Sequence, residues 1–191
     1  MTVSRRQFVL SAACFIGLAA AAPQLAFAAT PAESYISKLG NSVIEAANSG
    51  SVDRFRSLLR QNADIPSIAL FSLGQYRKNL PEGSKAEYYK LVENSISSVF
   101  AAHTNKLAGK SLTVSGSRSA PDSVIVASRL EQAGGRAIPV LWRVVKRGGG
   151  FKIFDVNVDG VWLANTQKTS FTSVLQRNNG SVEALMAHLR Q

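Results

Sequence analysis

The sequence predicts an α+β fold in which helices pack around a twisted antiparallel sheet of four strands. Three observations predict it. Residues 32–107 repeat their apolar side chains with a helical period, residues 110–158 switch to strict alternation, and residues 164–189 return to the helical period. A run of strands between two runs of helices is typical of α+β domains.

The first half of the chain predicts four helices. Residues 32–48 place five apolar side chains on one helical face, and Gly50 ends that helix. Ser51 and Asp64 are the predicted N-caps of the next two helices. The third helix is expected to continue as far as Tyr76, with a wide apolar arc. After a turn at residues 81–84, residues 85–107 predict one long helix.

Four strands are predicted at residues 110–118, 123–131, 137–146 and 151–158. The intervening segments carry Pro, Asp or Gly and are short enough for hairpins. In particular, Gly148-Gly149-Gly150 is interpreted as a hairpin turn and not as a phosphate loop, because no helix follows it. The third strand is apolar on both faces, which indicates apolar neighbours on each side. After Asp159-Gly160 the chain is expected to leave the sheet and to form two closing helices at residues 164–177 and 182–189.

The N-terminus has the layout of a secretory signal. A basic segment, residues 1–7, precedes an apolar run, residues 8–22, and Ala26-Phe27-Ala28 supplies the small residues of a cleavage site. Residues 4–8 resemble the twin-arginine export signal, which indicates a bacterial source and the periplasm. Residues 1–28 are therefore predicted to be a signal peptide and residues 29–191 a single domain; a permanent N-terminal anchor is the alternative.

The charge of the chain narrows the class of partner. The 191 residues carry a net charge of +10; residues 29–191 keep 20 basic and 12 acidic groups, a net charge of +8, and no Cys. In the periplasm, nucleic acid is not the expected partner of this charge. An anionic membrane surface or an acidic protein is favoured instead, and a merely solvated basic surface is the plain alternative.

The sequence offers little for catalysis or metal binding. His103 lies on a predicted apolar helix face, and His188 lies close to the C-terminus. Asp155 and Asp159 would stand about 13 Å apart along a strand, too far to share a proton. No catalytic residue, metal site or cofactor is therefore predicted. Apolar side chains are abundant instead, and these fit either a solid core or a hydrophobic ligand site.

Three segments occur in an order that points to one family. Residues 71–77 contain Leu-Gly-x-aromatic-Arg, residues 152–156 read Lys-Ile-Phe-Asp-Val, and residues 160–163 read Gly-Val-Trp-Leu. Together they resemble the MlaC family of periplasmic phospholipid carriers, also called the toluene-tolerance family. The resemblance covers essentially the whole chain after residue 28. Residues 160–164 look like the branch of this family associated with hopanoid biosynthesis.

The resemblance implies a deep apolar pocket between sheet and helices that holds lipid acyl chains without covalent chemistry. It implies a phospholipid or hopanoid as bound cargo, an inner-membrane transporter with an MCE-type or other lipid-exporting subunit, and an outer-membrane lipoprotein. The family usually has Ser where this chain has Trp162, so the indole is expected to reshape the mouth of the pocket.

Apolar periodicity and the family layout together predict the residues that line this pocket. They are Phe71, Leu73, Tyr76, Leu91, Ile96, Val99, Phe100, Trp142, Val144, Phe154, Val161, Leu163 and Phe171. Four basic residues are expected at its mouth: Arg77, Lys78, Arg143 and Lys168. Two alternatives stay open. One is a small enzyme with a cone-shaped α+β fold and an acid or base in a similar pocket; the other is a binding module with a solid core.

Overall fold

The computed structural model describes residues 28–104, 108–109, 111–132 and 134–191. The predicted signal peptide, except Ala28, lies outside the described residues. So do residues 105–107 of the predicted fourth helix and residue 110 of the predicted first strand.

Six α-helices lie within the described residues. They are α1 (Pro31–Asn48), α2 (Val52–Asn62), α3 (Ile65–Leu73), α4 (Lys85–Ala102), α5 (Leu163–Arg177) and α6 (Val182–Leu189). The predicted caps are confirmed: the side chains of Ser51 and Asp64 accept hydrogen bonds from backbone N–H groups in the first turns of α2 and α3. None of the described helices is long and apolar enough to cross a membrane.

Two helices end earlier than their apolar patterns predict. The expected continuation of α3 to Tyr76 is wrong, because Gly74 has a φ of +57° and breaks the α-helix there; residues 74–79 form a 3₁₀ turn. Helix α4 ends at Ala102. His103 is its exposed C-cap residue and does not lie on an apolar face.

The described strands form one antiparallel sheet in sequence order: β1 (Ser111–Ala120), β2 (Ser123–Glu131), β3 (Ala137–Arg147), β4 (Gly150–Val158) and β5 (Val161–Trp162). The expectation of four strands was one too few. Asp159 and Gly160 have φ values of 51° and 90°, the left-handed conformation that a tight hairpin turn requires. The chain therefore turns back and pairs Val161 with Val158 before it leaves the sheet.

The two faces of the sheet have different neighbours. We call the face covered by α1 the inner face; it carries Val126, Trp142, Val144 and Ile153, which form the sheet cluster with the apolar side of α1. A second core, the helix cluster, joins α3, α4, α5 and α6 around the fully buried Leu73. The opposite side of the sheet, the outer face, meets α3 and α5 through β4.

Candidate functional site

A seam runs between the outer face of β4 and the helices α3 and α5, on the side of the sheet opposite the sheet cluster. At this seam the ring of Phe71 on α3 makes an edge-to-face contact with Phe154 on β4, with centroids 5.6 Å apart. Both rings are only half-buried. Neither ring belongs to the sheet cluster or to the helix cluster, so this contact is separate from both cores.

Lys168 on α5 closes one side of the seam. Its Nζ atom lies 5.0 Å from the centroid of the Phe71 ring, a favourable cation–π contact. Gly74 leaves room beside it, because a Cβ there would lie 3.0 Å from Cε of Lys168 and the lysine stem would have to shift. The missing side chain at position 74 therefore lets the lysine stem cross the end of α3.

An exposed apolar rim lies on and after β5, the strand that pairs with the end of β4. Val161 and Leu163 are 53% and 47% exposed, although both are large aliphatic residues. Between them, the half-buried ring of Trp162 lies 4.7 Å below the guanidinium carbon of Arg143. The rim thus combines exposed aliphatic surface with a cation, a combination that suits the boundary between an acyl chain and a lipid head group.

Asp155 is the buried acid of this region. Its Oδ1 atom accepts hydrogen bonds from the backbone N–H groups of Val156, at 2.8 Å, and Ala164, at 2.9 Å. Burial raises the pKa of this carboxyl, against the lowering effects of the two hydrogen bonds and of Arg143. Because one bond reaches the first turn of α5, Asp155 fixes the exit from the sheet to α5. That contact gives it a structural role.

Two surface clefts lie near the seam. One, of about 400 Å³, contains two ion pairs, Arg60 with Glu93 at 2.7 Å and Arg147 with Asp64 at 2.8 Å, and is also lined by Lys152. The other, of about 380 Å³, lies on the outer face of the sheet beside the β1–β2 turn and shares Phe154 with the seam. We call the second cleft the outer groove.

The thirteen residues predicted to line a pocket fall into four groups. Phe71, Phe154, Val161 and Leu163 meet at the seam or its rim. Leu73, Tyr76, Leu91, Ile96 and Phe171 belong to or pack on the helix cluster, and Trp142 and Val144 lie in the sheet cluster beneath α1. Phe100 stacks on Phe55 in a small third core, and Val99 is 56% exposed. The structure thus brings Phe71 and Phe154 into contact and exposes Val161 and Leu163; the acyl-chain pocket itself stays a prediction.

The four basic residues expected at the mouth divide evenly. Arg143 and Lys168 lie at the seam, each on an aromatic ring. Arg77 and Lys78 are exposed on the 3₁₀ turn after α3. Sequence reasoning missed Arg118, which lines the outer groove with Arg143. The alternation of β1 shows which residues share a face with Arg118, but the sequence does not give the register that places it near Arg143.

Among the described residues, no three His, Cys, Asp or Glu side chains form a group that could hold a metal ion.

The chain matches the MlaC protein family over residues 32–191. The chain belongs to the MlaC family. Among solved structures it is similar to the phospholipid-binding protein from Ralstonia solanacearum, solved in complex with a phospholipid, with a TM-score of 0.71 and 20% sequence identity. The match covers 84% of this chain and 96% of that one. Comparison with the curated proteins gives no match.

At this level of identity the solved structure supports the α+β fold, and membership of the MlaC family supports a phospholipid-binding protein of the carrier type. These findings agree with the family resemblance and with the fold class that the sequence predicts.

Proposed function

We propose that this MlaC-family protein shuttles phospholipid between the inner and outer membranes of a bacterium, with its acyl chains held between the helices and the outer face of the sheet. One observation carries the proposal: the seam between β4 and the helices α3 and α5 holds half-buried aromatic rings that belong to neither core, and β5 beside β4 carries an exposed aliphatic rim. In this proposal residues 29–191 act as one lipid-binding domain, and residues 1–28 direct it to the periplasm through the twin-arginine route.

Acyl-chain entry would separate α3 and the later turns of α5 from β4, while the hydrogen bond from Ala164 to Asp155 keeps the start of α5 in place. The contact that has to break is the Phe71–Phe154 pair, worth about 0.5–1.5 kcal/mol beyond its buried area. Each buried CH₂ group returns about 0.8 kcal/mol, so ten of them give roughly 8 kcal/mol. Binding therefore outweighs the opening, and release needs a partner protein.

We propose two such partners because the chain belongs to the MlaC family. They are an inner-membrane transporter with an MCE-type or other lipid-exporting subunit, and an outer-membrane lipoprotein. The net charge of +8 on residues 29–191 would speed the approach to anionic membranes or acidic partner faces more than it would tighten binding. Phospholipid is the proposed cargo; a hopanoid, which the hopanoid-associated branch would carry, is the cargo that the experiment below distinguishes.

The cargo test is native mass spectrometry of protein purified from a periplasmic extract without detergent, followed by lipid extraction. The expected result is a bound species whose mass matches a phospholipid. A hopanoid in the extract would change the cargo but keep the carrier. Protein that carries no lipid and takes none up from phospholipid vesicles would contradict the proposal.

The rim test compares two exposed valines. Val161→Gln removes apolar surface from the rim, and Val99→Gln makes the same change on α4, where the valine is 56% exposed and away from the rim. We expect lipid uptake from vesicles to slow several-fold in V161Q and to stay at the wild-type rate in V99Q. Equal rates in all three proteins would remove the rim from the entry path.

A further inference from the structure

A row of charged and apolar side chains crosses the outer face of the sheet. Arg118 on β1 stands directly opposite Ile125 on β2, Ile125 stands opposite Arg143 on β3, and Arg143 stands opposite Asp155 on β4. Directly opposed residues in antiparallel strands point to the same face, with neighbouring strands about 5 Å apart. The two arginines therefore flank one isoleucine, about 10 Å from each other at the backbone.

This row forms part of the outer groove. Its floor is apolar: Ile125 and Val145 are only 3% and 6% exposed, and Phe154 lies beside them. Its walls carry Arg118 and Arg143. Phe154 belongs to both the outer groove and the aromatic contact with Phe71, so the floor of the groove leads directly to the seam.

The arginines that line the groove differ in whether they form an ion pair with a carboxylate. Arg147 also lines it but pairs with Asp64 at 2.8 Å. Among the described residues, neither Arg118 nor Arg143 has a carboxylate within 4.0 Å. Asp122, in the β1–β2 turn, lines the groove, and the buried Asp155 stands opposite Arg143, whose charge lowers the pKa of that carboxyl against the larger, raising effect of burial. Two guanidinium groups with free donors beside an apolar floor fit a phosphate ester attached to a hydrocarbon.

We propose that the outer groove binds the phosphate of a phospholipid head group, with Arg118 and Arg143 as its donors and Ile125, Val145 and Phe154 beneath the start of the acyl chains. This inference rests on the proposed carrier function and deepens it, because it gives the head group a defined site at the end of the seam.

The test measures the dissociation constants of two soluble short-chain probes by isothermal titration calorimetry. The probes are a diacyl phosphatidylglycerol and the matching diacylglycerol, which lacks the phosphate. The variants are Arg118→Gln, whose side chain is exposed, and the double variant R118Q/R143Q. The control is Arg129→Gln, an exposed arginine on the same strand as Ile125, four residues along and outside the groove.

We expect R118Q to bind phosphatidylglycerol about tenfold more weakly, because a hydrogen bond to a charged group is lost, and the double variant to bind more weakly still. R129Q should match the wild-type protein, and all variants should bind diacylglycerol with wild-type affinity. Higher salt should weaken phosphatidylglycerol binding of the wild-type protein more than that of the double variant.

Three results would overturn the head-group site alone. Equal phosphatidylglycerol binding by the wild-type protein and the double variant would remove the arginines from recognition while leaving the carrier function intact. Equal losses for both probes would show that the arginines shape the groove and do not hold the phosphate. Inorganic phosphate that binds as tightly as phosphatidylglycerol would make this a site for free phosphate. A wild-type protein that binds neither lipid probe would instead refute the carrier function and the head-group site together.

Discussion

Truncation of Phe71 to alanine tests how the seam contributes to stability and, separately, to lipid binding. The change removes the edge-to-face contact with Phe154 and the ring beneath Nζ of Lys168. A structural control exists in the same chain: Phe55, also half-buried, stacks on Phe100 with ring centroids 3.7 Å apart, in a core remote from the seam.

The two variants should lose similar stability. A fully buried Phe→Ala change costs about 3–5 kcal/mol, so a half-buried ring that also loses an aromatic partner should cost about 2 kcal/mol. For a domain of this length, that loss lowers the melting temperature by roughly 4–8 °C. The expected decreases for F71A and F55A therefore overlap.

Their lipid affinities should differ. If acyl chains pass between Phe71 and Phe154, F71A removes about 1.5 kcal/mol of contact with the chains, which weakens binding by about tenfold. F55A should bind lipid like the wild-type protein. The measurements are thermal unfolding followed by circular dichroism and lipid transfer from fluorescent vesicles. Equal lipid binding by both variants, or equal losses in both, would refute the assignment of Phe71 to the acyl-chain path.

Two further changes test the framework of the site. The pKa of Asp155 is raised by burial, so its contribution to stability is greatest below the unfolded value of 3.8 and is lost as the pH rises through the folded pKa. Asp155→Asn keeps an oxygen that can accept the hydrogen bond from Ala164 without the buried charge. The unfolding free energies of both proteins are measured in urea from pH 3 to 8. The free energy of D155N minus that of the wild-type protein should increase as the pH rises; a constant difference would contradict the burial argument. Asp64→Ala removes both the cap to the N–H of Ser67 and the ion pair with Arg147, so it should cost about 1–3 kcal/mol in the same assay, whereas Arg147→Gln should cost less; the reverse order would contradict the capping role.

The sequence alone predicted most of the secondary structure because local signals carry it. Ser51 and Asp64 cap helices through backbone N–H groups three residues away, and the alternation in β2 and β3 follows from the pleat of a strand. It failed at two places where a local signal was present but misinterpreted. Gly74 ends α3 through its positive φ, and Asp159-Gly160 forms a hairpin turn where the chain was expected to leave the sheet.

The tertiary structure decided which apolar residues meet. Trp142 and Phe154 are both aromatic residues on neighbouring strands. Trp142 is buried beneath α1, whereas Phe154 contacts Phe71 at the seam. Periodicity gives the side of a strand, but not the element that covers it, since that depends on the whole chain.

The same reason hid Arg118 and its place beside Arg143, which the sequence did predict at the mouth. The two arginines are 25 positions apart in the sequence, and only the antiparallel register places both beside Ile125. A shift of one residue in either strand pairing would turn one arginine to the other face. The sequence by itself thus determined the kind of molecule and most of its elements. The pairing of strands and helices, which is set by long-range packing, decided where its apolar seam and its free cations lie.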